Sequence, residues 1–182
     1  MFFDRVWRKT WAIMQTTAML RPNAVLYMAS AMPLESMRCL SAWERPCAAI
    51  DAKVLMRPDT VARLVSREAP KGEVLATARI AAILAAKRTH ELIPLCHAVA
   101  LTHLDVLLEI DAGSAAVHVT AVADAYDRTG CEMEAMVAVS TACLTVYDML
   151  KGIDRDMVIA DVKLIEKSGG RSGHYMRAEL KP

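Results

Sequence analysis

Asp148 and Lys151 stand three residues apart, just after a run, Met136–Tyr147, whose only polar members are small or carry a hydroxyl. On a helix that spacing puts carboxylate and ammonium on one face, where they pair, and in a partly buried cleft such a pair can shuttle protons. A surface ion pair of little worth has the same spacing. Lys71-Gly72 precedes an Ala- and Leu-rich run from Glu73 to Arg88. A helix N-terminus carries partial positive charge and free N–H groups, so a lysine there is unfavourable for the helix but suits an anion; an exposed loop lysine is the plain alternative. Leu95-Cys96-His97 comes after Pro94 and sets one imidazole among apolar neighbours. It can act as an acid–base group or anion ligand near neutral pH, or sit in the core with its polar atoms satisfied. His90 and His103 do not stand at metal-ligand spacing with it, so no metal site is expected.

Glu132-Met133-Glu134 opens the long apolar run. Carboxylates favour a helix N-terminus, and Thr129-Gly130-Cys131-Glu132 has the form of a capping box, which accounts for Glu132. It accounts less well for Glu134, which that register places beyond the first turn. Lys167-Ser168-Gly169-Gly170-Arg171-Ser172-Gly173 can turn backbone N–H groups and two cations on an anion. The Walker spacing is absent, and a flexible tail would have the same composition.

These groups need elements to hold them. Pro58 suits the first turn of a helix with Val61, Leu64 and Val65 as its apolar stripe, closed by Pro70. Glu73–Arg88 is a second helix by propensity, and Pro94 ends the short segment after it. Residues 99–110 alternate at Leu104, Val106 and Leu108. After a turn at Gly113-Ser114, Val117, Val119, Ala121 and Ala123 alternate again, predicting a β-hairpin. The apolar helix runs to about Lys151, where Gly152 can end it, and Val158–Ile165 reads as a last strand. With a strand before residue 57, the order approaches the split β-α-β plan: an α+β, ferredoxin-like antiparallel sheet with helices packed on one face.

The chain divides near residue 50. Residues 1–50 hold all three tryptophans, are rich in Met and have no clear period; they read as a divergent N-terminal arm ahead of a domain at 51–182. Arg5, Arg8, Lys9 and the apolar Ala24–Met28 imitate a signal peptide poorly, so export is not expected. Lys plus Arg is 22 against 21 for Asp plus Glu, a balance without the basic face that nucleic acid needs. No apolar stretch reaches the roughly 18 residues that suggest a membrane span. Five cysteines without framework spacing argue against a disulfide scaffold, and a reducing cytoplasm fits.

If Glu132–Lys151 is one helix, Glu134 and Asp148 are fourteen residues apart (148 − 134) on one stripe, about 21 Å at about 1.5 Å per residue. Within one chain they cannot touch the same small reacting centre. Either a second subunit completes the site or each serves a different part of it. The expectation is a homo-oligomer with sites at subunit interfaces, which an active strict monomer would overturn.

The stretches KGEVLATARIAAILAAKRTHELIPLCH, TGCEMEAMVAVSTACLTVYDMLKGIDRDM and EKSGGRSG, in this order and spacing, resemble the signature blocks of the cyclic pyranopterin monophosphate synthase family of molybdenum-cofactor biosynthesis. The match runs from about Val54 to Tyr175. The resemblance implies a ferredoxin-like lyase that converts 3′,8-cyclo-7,8-dihydroguanosine 5′-triphosphate to cyclic pyranopterin monophosphate and pyrophosphate. It implies a cytoplasmic homohexamer, a trimer of dimers with sites between subunits, and no required redox cofactor; Mg²⁺ beside the triphosphate is physically reasonable. By the same resemblance Asp148, Lys151 and Lys71 are catalytic: Lys151, poised by Asp148, moves protons, and Lys71 stabilises charge or acts as a second acid–base group. Lys167 and His97 would hold the triphosphate, and Glu132, Met133 and Glu134 the base end, with Leu95 and Cys96 alongside His97. A buried lysine beside other cations has a lowered pKa, which suits such work.

Departures are mild at Ala98, Cys131 and Gly152, where the family has proline, valine and alanine. The larger one is upstream: the family's M-V-D-V-S segment with its Lys and Arg is missing from Glu35–Pro46, with Pro46 at the arginine position and Arg45 one residue away. That loss motivates a second reading, a weakened paralogue that binds a nucleotide or pairs with an intact subunit without turnover. A purely structural oligomer module would explain the apolar helix but not the polar segments.

Overall fold

Ile50, Ala52 and Val54 alternate with Asp51, Lys53 and Leu55, and the first set is buried: this is β1 (Cys47–Leu55), the strand expected before residue 57. The computed structural model describes residues 47–127, 129–169 and 173–178. The Glu35–Pro46 segment, Arg45, Gly170, Arg171 and Ser172 lie outside the described residues. Next come α1 (Pro58–Val65), α2 (Val74–Ala86), the short α3 (Thr89–Leu92), β2 (Leu101–Asp111), β3 (Ala116–Ala125), α4 (Glu132–Leu150), β4 (Val158–Ser168) and β5 (Tyr175–Met176). The sheet order is β2-β3-β1-β4-β5 and every pairing is antiparallel. With α2 and α4 packed together on the sheet, this is the α+β ferredoxin-like arrangement that the element order predicted. The core between layers is aliphatic: alanines 78, 82, 135, 138 and 142 let the two helices come close, and Val106, Val117, Val119 and Ile50 meet them from the sheet.

Several ends differ from the sequence expectation. α1 stops at Val65, ahead of Pro70, because Arg67 takes a left-handed conformation (φ 61) and turns the chain; Val65 is exposed. The hairpin turn is closed by Asp111, whose carboxylate accepts from the N–H groups of Gly113 (2.8 Å) and Ser114 (3.2 Å) and from the Ser114 hydroxyl (2.6 Å). No capping box forms at Thr129. The N-cap is Cys131, so Glu132 is the first helical residue and Glu134 lies inside the first turn.

β4 runs on through Ser168, so Lys167 stands on a strand rather than in a tail. β5 returns against it, pairing Tyr175 with Lys167, and Arg177 Nε donates to the Leu164 carbonyl at 2.7 Å. α4, at 19 residues and a mean hydropathy of 1.3, is long and apolar enough to cross a membrane, contrary to the sequence reading. Its acidic residues cluster at the two ends, which leaves the middle unbroken. Here it is the core helix, packed on α2 and on strands β1, β2, β3 and β4. Cys47 is disulfide-bonded, which the cysteine spacing did not predict; Cys96, Cys131 and Cys143 form no disulfide.

Candidate active site

The last turn of a helix leaves carbonyls unpaired and carries partial negative charge. In α4 that end holds Asp148, with Lys151 at the C-cap. Lys71 reaches it from the loop between α1 and α2, where Gly72 (φ 85) supplies a left-handed turn. Its ammonium donates to the Asp148 carbonyl oxygen (3.1 Å) and to Oδ2 (2.6 Å), while Lys151 Nζ lies 2.7 Å from Oδ1. Glu73 is the N-cap of α2, and the lysine side chain runs to the opposite pole of another helix, where a cation is favoured.

One carboxylate therefore holds two ammonium groups from separate elements. The hydrogen bonds from Lys151 and then Lys71 bring Asp148 down to about 2. The same contact raises Lys151. For Lys151 the lowered value expected of a buried lysine among cations is not what the fold provides, because its side chain is half exposed and its dominant neighbour is an anion. At neutral pH Lys151 is therefore held in its charged form.

The other end of α4 is covered. Glu132 Oε1 lies 2.8 Å from Lys167 Nζ on β4, with 26% and 14% of the side chains exposed. Gly130 makes this possible, since a Cβ there would run into the Glu132 carboxylate. Glu134 is only 3% exposed, and its Oε2 has no hydrogen-bond partner among the described residues. Burial pushes its carboxyl above the usual range. Its own N–H opposes the rise, Glu132 adds to it, and His97 and His90 oppose it. An unsatisfied buried acceptor costs about 1–3 kcal/mol. Burial, and then Glu134, raise the Cys96 thiol.

His97 is exposed, which removes the core-histidine alternative, and Leu95 is 99% exposed. No packing within the described chain accounts for that leucine.

The fold thus assembles the sequence-predicted residues into two groups: Lys71, Asp148 and Lys151 at one end of α4, and Glu132, Met133, Glu134, Cys96, His97 and Lys167 at the other. The Glu132–Lys167 pair joins a residue expected at the base end to one expected at the triphosphate. The sequence reading missed Gly130, whose only signal was its place two residues before Glu132, and the proximity of His90 to Glu134. Among the described residues no group of three or more His, Cys, Asp or Glu could hold a metal.

Residues 41–170 match the model of the MoaC family. The cyclic pyranopterin monophosphate synthase of a Roseiflexus species is 52% identical over 124 residues, covering 68% of this chain and 78% of that protein. That of Heliobacterium modesticaldum is 49% identical over 127 residues, covering 70% and 80%. The cyclic pyranopterin monophosphate synthase 3 of Mycobacterium bovis is 55% identical over 134 residues, covering 71% and 73%.

Proposed function

The chain belongs to the MoaC family, and from that premise we propose how its two polar ends divide the work of making cyclic pyranopterin monophosphate. The chain is a lyase of molybdenum-cofactor biosynthesis, like the relatives it matches. The substrate is 3′,8-cyclo-7,8-dihydroguanosine 5′-triphosphate and pyrophosphate is the second product. Lys151 gives and retakes the protons of purine-ring opening and pterin closure. Asp148 holds it in place, and Lys71 stabilises negative charge or serves as a second acid–base group. Lys167 and His97 hold phosphate oxygens, which requires Lys167 to exchange Glu132 for the substrate. Glu132, Met133 and Glu134 line the base end with Leu95 and Cys96. No redox cofactor is required, and Mg²⁺, where present, travels with the triphosphate.

The observation that carries this reading is the convergence of Lys71 (2.6 Å) and Lys151 (2.7 Å) on Asp148. Exposed ion pairs contribute little to stability, so the arrangement is better explained by chemistry. It also disfavours a weakened paralogue, in which these three residues need not stay together.

Subunits complete the site. Glu134 and Asp148 lie about 21 Å apart along α4, and their midpoint is Thr141. Between them Leu144 is exposed, as are Ile80 and Leu84 on α2. A second copy set antiparallel across this apolar face would bring each chain's Glu134 end beside its partner's Asp148 end, an isologous contact with two composite sites. A trimer of such dimers is the hexamer, and the cytoplasm is its compartment.

The experiment is turnover of the cyclic dihydro-GTP intermediate, following pyrophosphate and the pterin, for wild type and Lys151→Ala, with mass measured by sedimentation. Turnover by an oligomer that Lys151→Ala abolishes is the expected result. A folded, oligomeric wild type that releases no pyrophosphate would overturn the reading, and an active monomer would overturn the shared site.

A further inference from the structure

Asp154 is the one carboxylate among the described residues whose side chain is completely enclosed, and the reaction as proposed does not use it. Its Oδ2 accepts from the Arg57 N–H (2.9 Å) and the Thr60 hydroxyl (3.0 Å), and its Oδ1 from the Asp156 N–H (3.1 Å); Arg57 Nη1 lies 3.7 Å away. Arg57 Nη2 also donates to the Ile153 carbonyl at 2.6 Å. Burial by itself would raise this carboxyl. The Arg57 N–H, Thr60 hydroxyl and Asp156 N–H outweigh it, and the group lies below the usual range and stays charged. A buried charge is tolerated only when its partners are this complete.

The two segments so joined are those that carry the lysines. On one side is the turn after α4, which begins at Lys151 and returns the N–H groups of Ile153 and Asp154 to the Leu150 carbonyl at 2.9 and 3.0 Å. The Tyr147 hydroxyl holds its far side through the Arg155 carbonyl at 3.3 Å. On the other side is the corner between β1 and α1, and α1 leads directly into the loop that presents Lys71. Neither lysine has another fixed anchor: the polar partner of both ammonium groups among the described residues is Asp148.

We propose that Asp154 is a positioning residue for the lysine pair, tying the turn that starts at Lys151 to the corner that launches Lys71 so that both ammonium groups meet one carboxylate. The inference rests on the acid–base role proposed for the lysines. A carboxylate that merely stabilised the fold would change how much enzyme is folded. A positioning carboxylate changes the environment of the lysines in the enzyme that remains folded.

The test uses the full chain, with Asp154→Asn and Thr60→Val as variants. The second removes a single donor from a side chain of similar shape and serves if the first does not fold. Melting, oligomer size, kcat and KM are measured, and Lys151 is titrated by NMR of ¹³Cε-labelled lysine, assigned with Lys151→Arg. Asp154→Asn is expected to lower kcat roughly ten- to a hundredfold with KM within about twofold. Lys151 should titrate at lower pH than in wild type, and Thr60→Val should move both quantities the same way by less. A kcat that falls only with the folded fraction, with the Lys151 titration unmoved, would overturn the proposal. Should wild type itself fail to turn over, the proposed function falls, while the Lys151 titration still decides the positioning role.

Discussion

The two ends of α4 give a carboxylate opposite treatment. At the C-terminal end Asp148 is half exposed, has an ammonium on each oxygen and is brought down to about 2. At the N-terminal end Glu134 is buried, one of its oxygens lacks a partner among the described residues, and burial pushes its carboxyl up. The helix dipole would have favoured the reverse, since it stabilises anions at the N-terminus and cations at the C-terminus. Local solvation and direct partners outweigh it at both ends. Two acids whose environments push them apart can serve different steps of one reaction, one permanently charged and one able to carry a proton.

Asp148→Asn attacks the comparison hardest. It frees both lysines at once, and kcat should fall on the order of a hundred- to ten-thousandfold. The pair is exposed, so the melting temperature at neutral pH should fall only slightly. A large loss of stability with modest loss of turnover would mean that the cluster is structural and that the two ends differ less than argued.

Glu134→Gln keeps the shape and removes the charge, and it is read in stability as well as in turnover. The folded-state value of Glu134 is raised, so between the unfolded and folded values the native state binds more protons than the unfolded state. Its contribution is fully present at acid pH and is lost as pH rises through the raised value. Asp148, with its lowered value, has the opposite slope: its contribution is present above the unfolded value and is lost as pH falls toward about 2. Glu134→Gln should therefore remove a decline in melting temperature with rising pH on the alkaline side of the ordinary glutamate range. Asp148→Asn should remove a decline at strongly acid pH. Because the glutamine still offers a carbonyl oxygen to the substrate, its effect on turnover should be smaller than that of Asp148→Asn. A Glu134→Gln stability profile parallel to wild type would show that Glu134 ionises normally.

The sheet and the pairing of Asp148 with Lys151 were legible because both depend on neighbours in sequence. Alternation placed Val117, Val119, Ala121 and Ala123 on one face, and i,i+3 spacing placed the ion pair. Lys71 was located in sequence but its partner was not, because that partner comes from an element 77 residues away. Asp154 carried little local signal: one oxygen takes the Asp156 N–H two residues on, but the partners of the other, Arg57 and Thr60, lie 97 and 94 residues away. The T-x-x-E form at Thr129 was misleading for a related reason. Glu132 pairs instead with Lys167, on a strand that sequence alone ended before that lysine, and the N-cap falls at Cys131, so no box forms.

Gly130→Ala refines the comparison with the smallest change. Its new Cβ would meet the end of the Glu132 side chain rather than backbone, so the fold can yield by rotating that carboxylate away and stability should hardly move. Lys167 would then lose the Glu132 contact at 2.8 Å while keeping its place on β4. If Glu132 serves the base end directly, KM should rise about three- to tenfold, the equivalent of roughly 1 kcal/mol. If Glu132 instead occupies the seat of a phosphate oxygen on Lys167, the variant should bind inorganic pyrophosphate more tightly than wild type, because the internal competitor has been displaced. Either result leaves the Asp148 end untouched, with kcat near wild type. A fall in kcat comparable to that of Asp148→Asn would instead show that the two ends are coupled through α4.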